Sequence, residues 1–264
     1  MANVRVITSL LDYTPTASSE DSTFPVTNLL LVGHLRRPWK ATTSGAIVNV
    51  TLDLGAGNTL SALAADPGIF LDDVNVTSLR IQGNSVTTDW VTPPWDQAIT
   101  VAKHKGVARY KDFRRLADLN VAAFAYRYLN IRFPAQSTTD GAVYRIGRAP
   151  VGHAPELATN YRYDSDDQIN EAHVVTPYLD GGGEYNIMGP PLMTARLQRR
   201  LPSATAIDEQ WDLDALGIGT PFVLWDAGLG GTQDGWLVRR TAPSVMQRRY
   251  LNHWLTTWEV EEVI

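Results

Sequence analysis

The sequence predicts a mainly β protein, with an N-terminal jelly-roll-like β-sandwich followed by a smaller β domain that carries one capped helix. Three observations lead to this fold class. Short apolar runs are separated by turn-forming residues, and the 264-residue chain holds 20 glycines and 15 prolines. Several runs alternate apolar and polar residues with the two-residue period of a strand. A hydrophobic content of 44% suits a folded core rather than a disordered chain.

Five strands are predicted in the first half of the chain. The clearest is Ile47–Leu54, where valine and leucine alternate with asparagine, threonine and aspartate, as in a strand with one buried face. The other four are Val4–Thr8, Val76–Gln82, Tyr128–Phe133 and Val143–Gly147. Apolar residues in Lys103–Asn120 recur at every third or fourth position, so this segment is predicted to form a short amphipathic helix or a lid.

A change in composition predicts a domain boundary near position 152. The stretch Gly152–Asp167 is rich in proline, asparagine, serine and aspartate and shows little apolar periodicity, which is typical of a connection. We therefore predict two domains, at 1–152 and 153–264, joined by a segment open to proteolysis.

One helix, near 206–216, is predicted in the second domain. Thr205 and Asp208 fit a variant of the capping box, with a carboxylate near the positive end of the helix dipole. Gly217 stands where a helix commonly ends in a left-handed residue. The strands and the tight turn predicted around this helix are Met193–Leu201, Phe222–Trp225, Asp234-Gly235 and Trp254–Val263.

Three tryptophans of the second half are assigned to its core. Trp211 shares an apolar helix face with Ile207, four residues earlier. Trp254 and Trp258 lie on one side of the last strand by the two-residue period, and this side is predicted to pack inward. The alternate residues His253, Leu255, Thr257, Glu259 and Glu261 are expected on the outer side, in water or against a neighbouring subunit.

The sequence carries no signal of catalysis, and we expect no catalytic residue, no cofactor and no metal ion. The chain has no cysteine, which rules out thiolate nucleophiles and cysteine-ligated metal centres. Its five histidines lack the three- or four-residue spacing of a helical metal pair, and zinc-protease, phosphate-loop and nucleophile-elbow motifs are missing. The acidic run Asp164–Asp167 lacks the glycine and distal glutamate of a calcium loop and is interpreted as a solvated loop.

The charge pattern favours protein partners over nucleic acid or a membrane. The 23 basic and 28 acidic residues give a formal net charge of −5, whereas a nucleic-acid-binding domain is commonly basic. Five arginine doublets occur, among them Arg248-Arg249, and arginine is enriched at protein interfaces. No apolar run approaches the ~20 residues that a membrane span needs.

A loop with two tryptophans is a candidate contact site. Trp90 and Trp95 flank Thr-Pro-Pro within Asp89–Asp96, and each ring has a carboxylate beside it. Aromatic rings next to carboxylates suit sugar binding, because the C–H face of a sugar packs on the ring. They suit a subunit interface equally well. Packing under the domain's own loop is the third alternative.

Segments of the first half resemble, in their order, the galactose-binding-like (discoidin-like) β-sandwich domain. They are Phe24–Leu30, Arg36–Thr42, Val48–Gly55, Val76–Asn84, Tyr126–Phe133 and Ala142–Gly152. The last of them, with Ile-Gly-Arg ahead of a glycine, is similar to tail and baseplate proteins of long-tailed bacteriophages. In the second half, Leu192–Asp226 and Trp258–Ile264 resemble the β domain of distal-tail and minor-tail proteins.

The resemblance implies a structural subunit of a phage tail tip or baseplate, which assembles as a homo-oligomeric ring with other tail proteins. It also implies assembly in the host cytoplasm and a final place at the tail tip of the virion. A closed ring needs two different, complementary patches on each subunit. The alternative is a carbohydrate-binding module that attaches to a glycan of the host surface. The candidate contact residues are Trp90, Trp95, Arg248, Arg249, Glu259 and Glu261.

Overall fold

A computed structural model gives the architecture of the chain. It describes residues 5–7, 9–10, 12–30, 37–43, 45–55, 69–71, 78–87, 89–100, 115–117, 126–136, 143–147, 149–153, 157–159, 166–170, 173–177, 183–187, 192–225, 235–250 and 253–262. Within these ranges the protein is mainly β, which confirms the predicted fold class.

The described part of the chain contains twenty strands and two helices. The first twelve strands are β1 (Arg5–Ile7), β2 (Ser9–Leu10), β3 (Thr14–Ala17), β4 (Trp39–Lys40), β5 (Val48–Asp53), β6 (Ile69–Leu71), β7 (Ser78–Asn84), β8 (Trp95–Thr100), β9 (Arg115–Ala117), β10 (Tyr128–Phe133), β11 (Arg145–Ile146) and β12 (Gly152–His153). The others are β13 (Asp166–Asn170), β14 (His173–Pro177), β15 (Gly183–Ile187), β16 (Leu192–Leu201), β17 (Phe222–Trp225), β18 (Gly235–Arg240), β19 (Val245–Tyr250) and β20 (His253–Glu262). The α-helix, α1, is Ala204–Ala215, and a 3-10 helix covers Val26–Leu30.

The contacts of the chain divide it into two compact units. The first unit is Met1–Glu156 with Phe222–Trp236, and the second is Leu157–Pro221 with Leu237–Ile264. The chain leaves the first unit close to position 152, where the composition changes, and later returns to it with β17. The prediction of two consecutive domains does not include this return, because no change of composition accompanies it.

The first unit is built on a five-stranded antiparallel sheet in the order β3-β5-β10-β7-β8. In β5, Val48, Val50 and Leu52 are buried, and the residues between them are half-buried. The short pair β4–β11 and the 3-10 helix pack on this apolar face and contribute buried side chains such as Trp39 and Leu29. This packing confirms the predicted β-sandwich.

Three aromatic rings meet in the core of the sandwich. The ring centroid of Phe133 lies 6.0 Å from that of Trp39 and 4.8 Å from that of Tyr144, on which it stacks. The Tyr144 hydroxyl donates a hydrogen bond of 3.1 Å to the Pro134 carbonyl. This contact satisfies the polar end of a side chain that is fully buried.

The second unit has an antiparallel sheet with the long strands β16 and β20 at its centre. β16 pairs with β20 from Thr194 opposite Glu261 to Leu201 opposite Trp254. β13 pairs with the other side of β16, while β18 and β19 pair with different parts of β20. β14 and β15 pair with each other.

The facing predicted for the last strand is confirmed for Trp258 and Glu259 but not for Leu255. Trp258 is 1% exposed, and Glu259 is an exposed residue. Leu255, which was expected in water or at an interface, is only 9% exposed. It lies between Arg200 and Gln247 in the register, and long side chains of this kind shield an apolar neighbour from water.

Helix α1 forms where it is predicted, but Ser203 caps it rather than Thr205. The Ser203 hydroxyl accepts a hydrogen bond of 3.2 Å from the Ala206 backbone N–H, and the Ser203 backbone is extended. Serine and threonine are both good caps, so the sequence alone does not choose between them. Gly217, with a φ of 76°, follows the helix in the left-handed region, as predicted.

The buried side of α1 is not the side that was expected. Ala206, Gln210 and Leu213 are buried, whereas Trp211 is 60% exposed. The assignment of Trp211 to the core is therefore wrong.

Two buried arginines of the sheet hold the helix in this orientation. Arg199 is 0% exposed and pairs through its Nη2 with Glu209 of the helix. Arg240 is 4% exposed and donates hydrogen bonds of 2.7 and 2.8 Å to the Asp214 carboxylate and carbonyl. A buried charge without a partner costs several kcal/mol. The helix therefore turns the carboxylates of Glu209 and Asp214 towards the sheet, and this rotation leaves Trp211 outside.

The helix or lid predicted within Lys103–Asn120 is wrong at Arg115–Ala117, which forms β9 and pairs with β6. The rest of that segment lies outside the described residues, and so does Asp234 of the predicted tight turn. No helix in the described ranges is long and apolar enough to cross a membrane.

Trp258→Ala is expected to lower the free energy of unfolding by about 3–5 kcal/mol, the range for truncating a large buried aromatic side chain. Glu259→Ala, the next position of the same strand, is the matched control. It is expected to change this free energy by less than about 0.5 kcal/mol, because the side chain is exposed. Urea unfolding followed by circular dichroism measures both variants. Equal losses for the two would contradict the facing of β20.

Candidate functional site

The first sheet carries a continuous layer of polar side chains on the side away from the core, which we call the polar face. Its members are Asn49, Thr51, Asp53, Arg80, Gln82, Asn84, Asp96, Tyr128, Asn130 and Arg132. The strand register arranges them in rows. Asn130 of the central strand β10 lies opposite Thr51 and Gln82, and Arg132 lies opposite Asn49 and Arg80.

Side-chain amides join the middle of the polar face. The Asn130 amide donates hydrogen bonds of 2.9 Å to Gln82 Oε1 and 3.1 Å to Asn49 Oδ1. The Thr51 hydroxyl donates to Asn130 Oδ1 at 3.3 Å. Asn130 and Gln82 are both 0% exposed. They therefore position their neighbours rather than offer atoms to a ligand, because a buried and satisfied network is rigid.

An ion pair closes the edge of the polar face on β8. Arg80 donates to Asp96 from Nε to Oδ1 at 2.9 Å and from Nη2 to Oδ2 at 2.8 Å. This bidentate contact raises the pKa of Arg80 above its usual range. The amide of Gln82 donates to the same Oδ2 at 3.1 Å.

A second bidentate ion pair lies at the other end of β5 and β10. Arg127 donates to Asp53 from Nε to Oδ1 and from Nη2 to Oδ2, both at 2.7 Å. The Gly55 backbone N–H also donates to Asp53 Oδ1, at 2.9 Å. The hydrogen bonds from Arg127 are the main reason that the pKa of Asp53 is lower than usual.

The loop after β7 is fixed by its own aspartate. Asp89 Oδ1 accepts hydrogen bonds from the backbone N–H groups of Val91 and Thr92 at 3.0 and 3.1 Å. Its Oδ2 accepts from the Thr92 hydroxyl at 2.9 Å. These bonds lower the pKa of Asp89, and the bond from the Thr92 backbone N–H has the largest effect. Two prolines follow and stiffen the turn further.

Three hydrogen bonds tie this loop to the edge of the polar face. The Trp90 carbonyl accepts from Arg132 Nη1 at 2.6 Å and from the Gln82 amide at 3.4 Å. The Asn84 amide donates to the Asp89 carbonyl at 2.8 Å. Trp90 is thereby held beside the charged row of the polar face.

The two loop tryptophans that the sequence singles out have different surroundings. Trp90 is half-buried and belongs to the loop that borders the polar face. Trp95 begins β8 opposite Gly83 and packs against the apolar core of the first unit. The sequence leaves three alternatives open for these tryptophans, namely sugar binding, a subunit interface and packing within the domain. Trp95 packs within its own domain.

The arginine candidates belong to the second unit. Arg248 is exposed, and its guanidinium carbon lies 5.8 Å from the centre of the Trp254 ring, which lies opposite it in the register. Arg249 falls where the register between β19 and β20 shifts, and its side chain lies outside the described residues.

The two glutamate candidates, also in the second unit, differ in their contacts. Glu261 is half-buried and forms an ion pair with Arg239 at 2.6 Å within the same chain. Glu259 is exposed and lies opposite Arg196 in the register. Glu261 is thus engaged in its own sheet, and Glu259 is the more accessible of the two.

Sequence reasoning missed most of the polar face. The alternation of polar residues in Ile47–Leu54 and Tyr128–Phe133 is visible in the sequence and marks one half of the pattern. Which polar residue meets which depends on the pairing register, since Asn49 and Asn130 are 81 positions apart. The described residues bring no group of three or more potential metal ligands together.

Comparison with known proteins gives only distant matches. No family model matches the chain, and no curated protein matches it. Among solved structures, chitosan-binding module 1 from a chitosanase/glucanase of Paenibacillus sp. IK-5 aligns with a TM-score of 0.37 and 16% identity, over 54% of this chain and 96% of the module. A selenomethionine-labelled mutant of the same module aligns with a TM-score of 0.36 and 17% identity, over 56% of this chain and 98% of the module.

The Asp53–Arg127 pair makes the stability of the first unit depend on pH. Because the folded-state pKa of Asp53 is depressed, its contribution is present above the unfolded-state value of about 3.9 and is lost as the pH falls through the folded-state value. Asp53→Asn is expected to lower the melting temperature at neutral pH and to flatten its dependence between about pH 5 and pH 2. Asp12→Asn, which changes an exposed aspartate, is the control. If the melting temperature falls as steeply with decreasing pH in Asp53→Asn as in the wild type, this role is contradicted.

Proposed function

We propose that the protein binds carbohydrate through the polar face and the adjoining Trp90. The observation that carries this proposal is the half-buried Trp90, fixed by hydrogen bonds beside a row of planar polar side chains. A sugar has an apolar C–H face, which packs on an aromatic ring, and a rim of hydroxyl groups, which need donors and acceptors. Arg132, Arg80, Asn49 and Thr51 are the half-buried or exposed groups of the polar face that supply them.

The rigidity of the polar face supports this proposal. The buried amides of Asn130 and Gln82 hold the rows in place, and the Asp89 turn holds the loop. Side chains that are ordered before binding lose less entropy when a ligand arrives. This ordering before binding is expected to raise the affinity for a ligand.

The carboxylates near Trp90 favour binding rather than hydrolysis. Glycoside cleavage commonly needs a carboxylic acid whose pKa is raised, so that it can donate a proton. The pKa of Asp89 is lowered by its loop contacts, and Asp96 is engaged by Arg80 and Gln82. Asp89 is therefore not suited to act as a general acid.

Trp90→Ala is expected to weaken oligosaccharide binding by about tenfold or more, which corresponds to about 1.4 kcal/mol. Screening on a glycan array identifies the sugars, and isothermal titration calorimetry measures the affinities. Trp211→Ala, which removes an exposed tryptophan from the second unit, is the matched control and should bind as the wild type does. Failure of the wild type to bind any glycan, or equal binding by Trp90→Ala, would refute the proposal.

A second candidate function is structural, as a subunit of a ring in the tail tip or baseplate of a bacteriophage virion, in contact with other tail proteins. The observation that favours it is an apolar stripe on the outside of α1 and the turn after it, which we call the outer stripe. Trp211 and Ile218 are its exposed centre, at 60% and 56% exposure, and Ala215 lies between them. Exposed tryptophan is characteristic of interfaces, because it buries a large area with little loss of entropy.

The charges around the outer stripe point to a second copy of this chain as the partner. Asp208 and Asp212 are exposed on either side of Trp211, and α1 contains no basic residue. Arg196 and Arg200 are exposed on the outer face of β16. Contact between the outer stripe of one copy and β16 of the next joins two different patches, as a ring requires.

Trp211→Ala is expected to abolish self-association, which analytical ultracentrifugation of the wild type at high concentration measures. Trp90→Ala is the matched control and should associate as the wild type does. The double variant Asp208→Arg/Asp212→Arg should be monomeric by itself. The double variant Arg196→Glu/Arg200→Glu should also be monomeric by itself. A mixture of these two double variants should associate, because each face then meets its opposite charge. A wild type that stays monomeric would refute the structural candidate.

A further inference from the structure

We propose that the glycan bound on the polar face carries a carboxylate and that Arg132 binds it; this inference rests on the proposed glycan-binding function. The observation is a charge imbalance in one row of the polar face. Arg132 of β10 and Arg80 of β7 lie directly opposite each other in the register. Like charges in this position destabilise a sheet unless an opposite charge compensates them.

Among the described residues, the carboxylate that meets this pair of arginines is Asp96, and it pairs with Arg80. Asp96 Oδ1 accepts from Arg80 Nε at 2.9 Å, and Oδ2 accepts from Arg80 Nη2 at 2.8 Å. Oδ2 also accepts from the Gln82 amide at 3.1 Å. Arg80 Nε also donates to Oδ2 at 3.2 Å, so both oxygens of Asp96 are engaged by Arg80.

Arg132 keeps its positive charge without a carboxylate among the described residues. Its Nη1 donates to the Trp90 carbonyl at 2.6 Å, a neutral acceptor. A guanidinium has five N–H donors, so this bond leaves donors for a ligand. Arg132 is also half-buried, and water competes less for a cation there than at a fully exposed position.

A sugar carboxylate matches the guanidinium of Arg132 in shape, and a sugar ring on Trp90 brings it close to that guanidinium. The planar fork of a guanidinium matches a carboxylate, which can accept two parallel hydrogen bonds. The carbonyl that accepts from Arg132 belongs to Trp90, so the guanidinium is hydrogen-bonded to the backbone of the residue that carries the indole. In a uronic acid the carboxylate is attached to the sugar ring. A ring packed on Trp90 can therefore present its carboxylate to Arg132.

The overall charge argues for a local contact rather than general attraction of polyanions. The chain has a net charge of −5, which repels anions at long range. A ligand selected by Arg132 must then use the ring contact with Trp90 as well as the ion pair. Nucleic acid and free inorganic anions lack one or both of these features.

The test measures the affinity of the full chain for uronic-acid tetramers, namely galacturonate, glucuronate and mannuronate, each beside its methyl ester. The ester keeps the sugar and removes the charge. We expect at least one acid to bind about tenfold or more tightly than its ester, a difference of about 1.4 kcal/mol. Arg132→Gln should remove the preference for the acid, so that acid and ester bind with equal affinity. Arg37→Gln, at an exposed arginine next to β4, is the matched control and should keep the preference.

The outcomes separate this inference from the function on which it rests. Equal affinity for acid and ester, with loss of both in Trp90→Ala, would overturn the carboxylate and leave glycan binding intact. Binding of neither acid nor ester would overturn the carboxylate inference, and the glycan array would then decide separately whether glycan binding stands. Competition at constant ionic strength tests the contact with the sugar ring. If sodium acetate or sulfate displaces the bound uronate tetramer as effectively as free uronate does, the sugar-specific contact is overturned. If Arg132→Gln does not fold, Arg132→Lys replaces it, because it keeps the charge and loses the fork. A preference for the acid as large as in the wild type would then overturn the bidentate contact.

Discussion

The hydrogen bond between the buried amides of Asn130 and Gln82, 2.9 Å long, fixes the arrangement of the first unit's site. A buried polar group without a partner costs free energy, so β10 and β7 are stable only in the register that joins these two side chains. A slip of one residue would turn the amides into the apolar core and the core residues outward. The same register sets Arg132 against Arg80 and thereby places the charges of the polar face.

The second unit follows the same rule with charges in place of amides. Arg199 and Arg240 are buried in the sheet, and within the part of the chain that the structure describes their carboxylate partners are Glu209 and Asp214 of α1. Satisfying these two cations decides the rotation of the helix about its axis. Leaving one buried charge unpaired costs about 3–5 kcal/mol, and the helix pairs two such charges. An apolar stripe with Trp211 at its centre is consequently left outside.

Local patterns in the sequence predict local structure well and long-range pairing poorly. The two-residue period identifies β5, β10 and the inner side of β20, and the capping and glycine signals locate α1. The polar face is invisible at this level because its rows join residues from strands far apart in the chain. Trp211 is misplaced for a related reason: helical periodicity assumes that the apolar side faces inward. The arginines that reverse it, Arg199 and Arg240, stand on other strands.

In both units, buried polar groups determine the structure while the groups beside them remain accessible. Asn130 and Gln82 are fully buried, whereas Arg132 and Trp90, which border them and are joined by a hydrogen bond, are half-buried. Arg199 and Arg240 are inaccessible, but they hold Trp211 outward. The polar face and the outer stripe share no residue and belong to different units. The two proposed contacts, with a glycan and with a second copy, therefore involve different side chains.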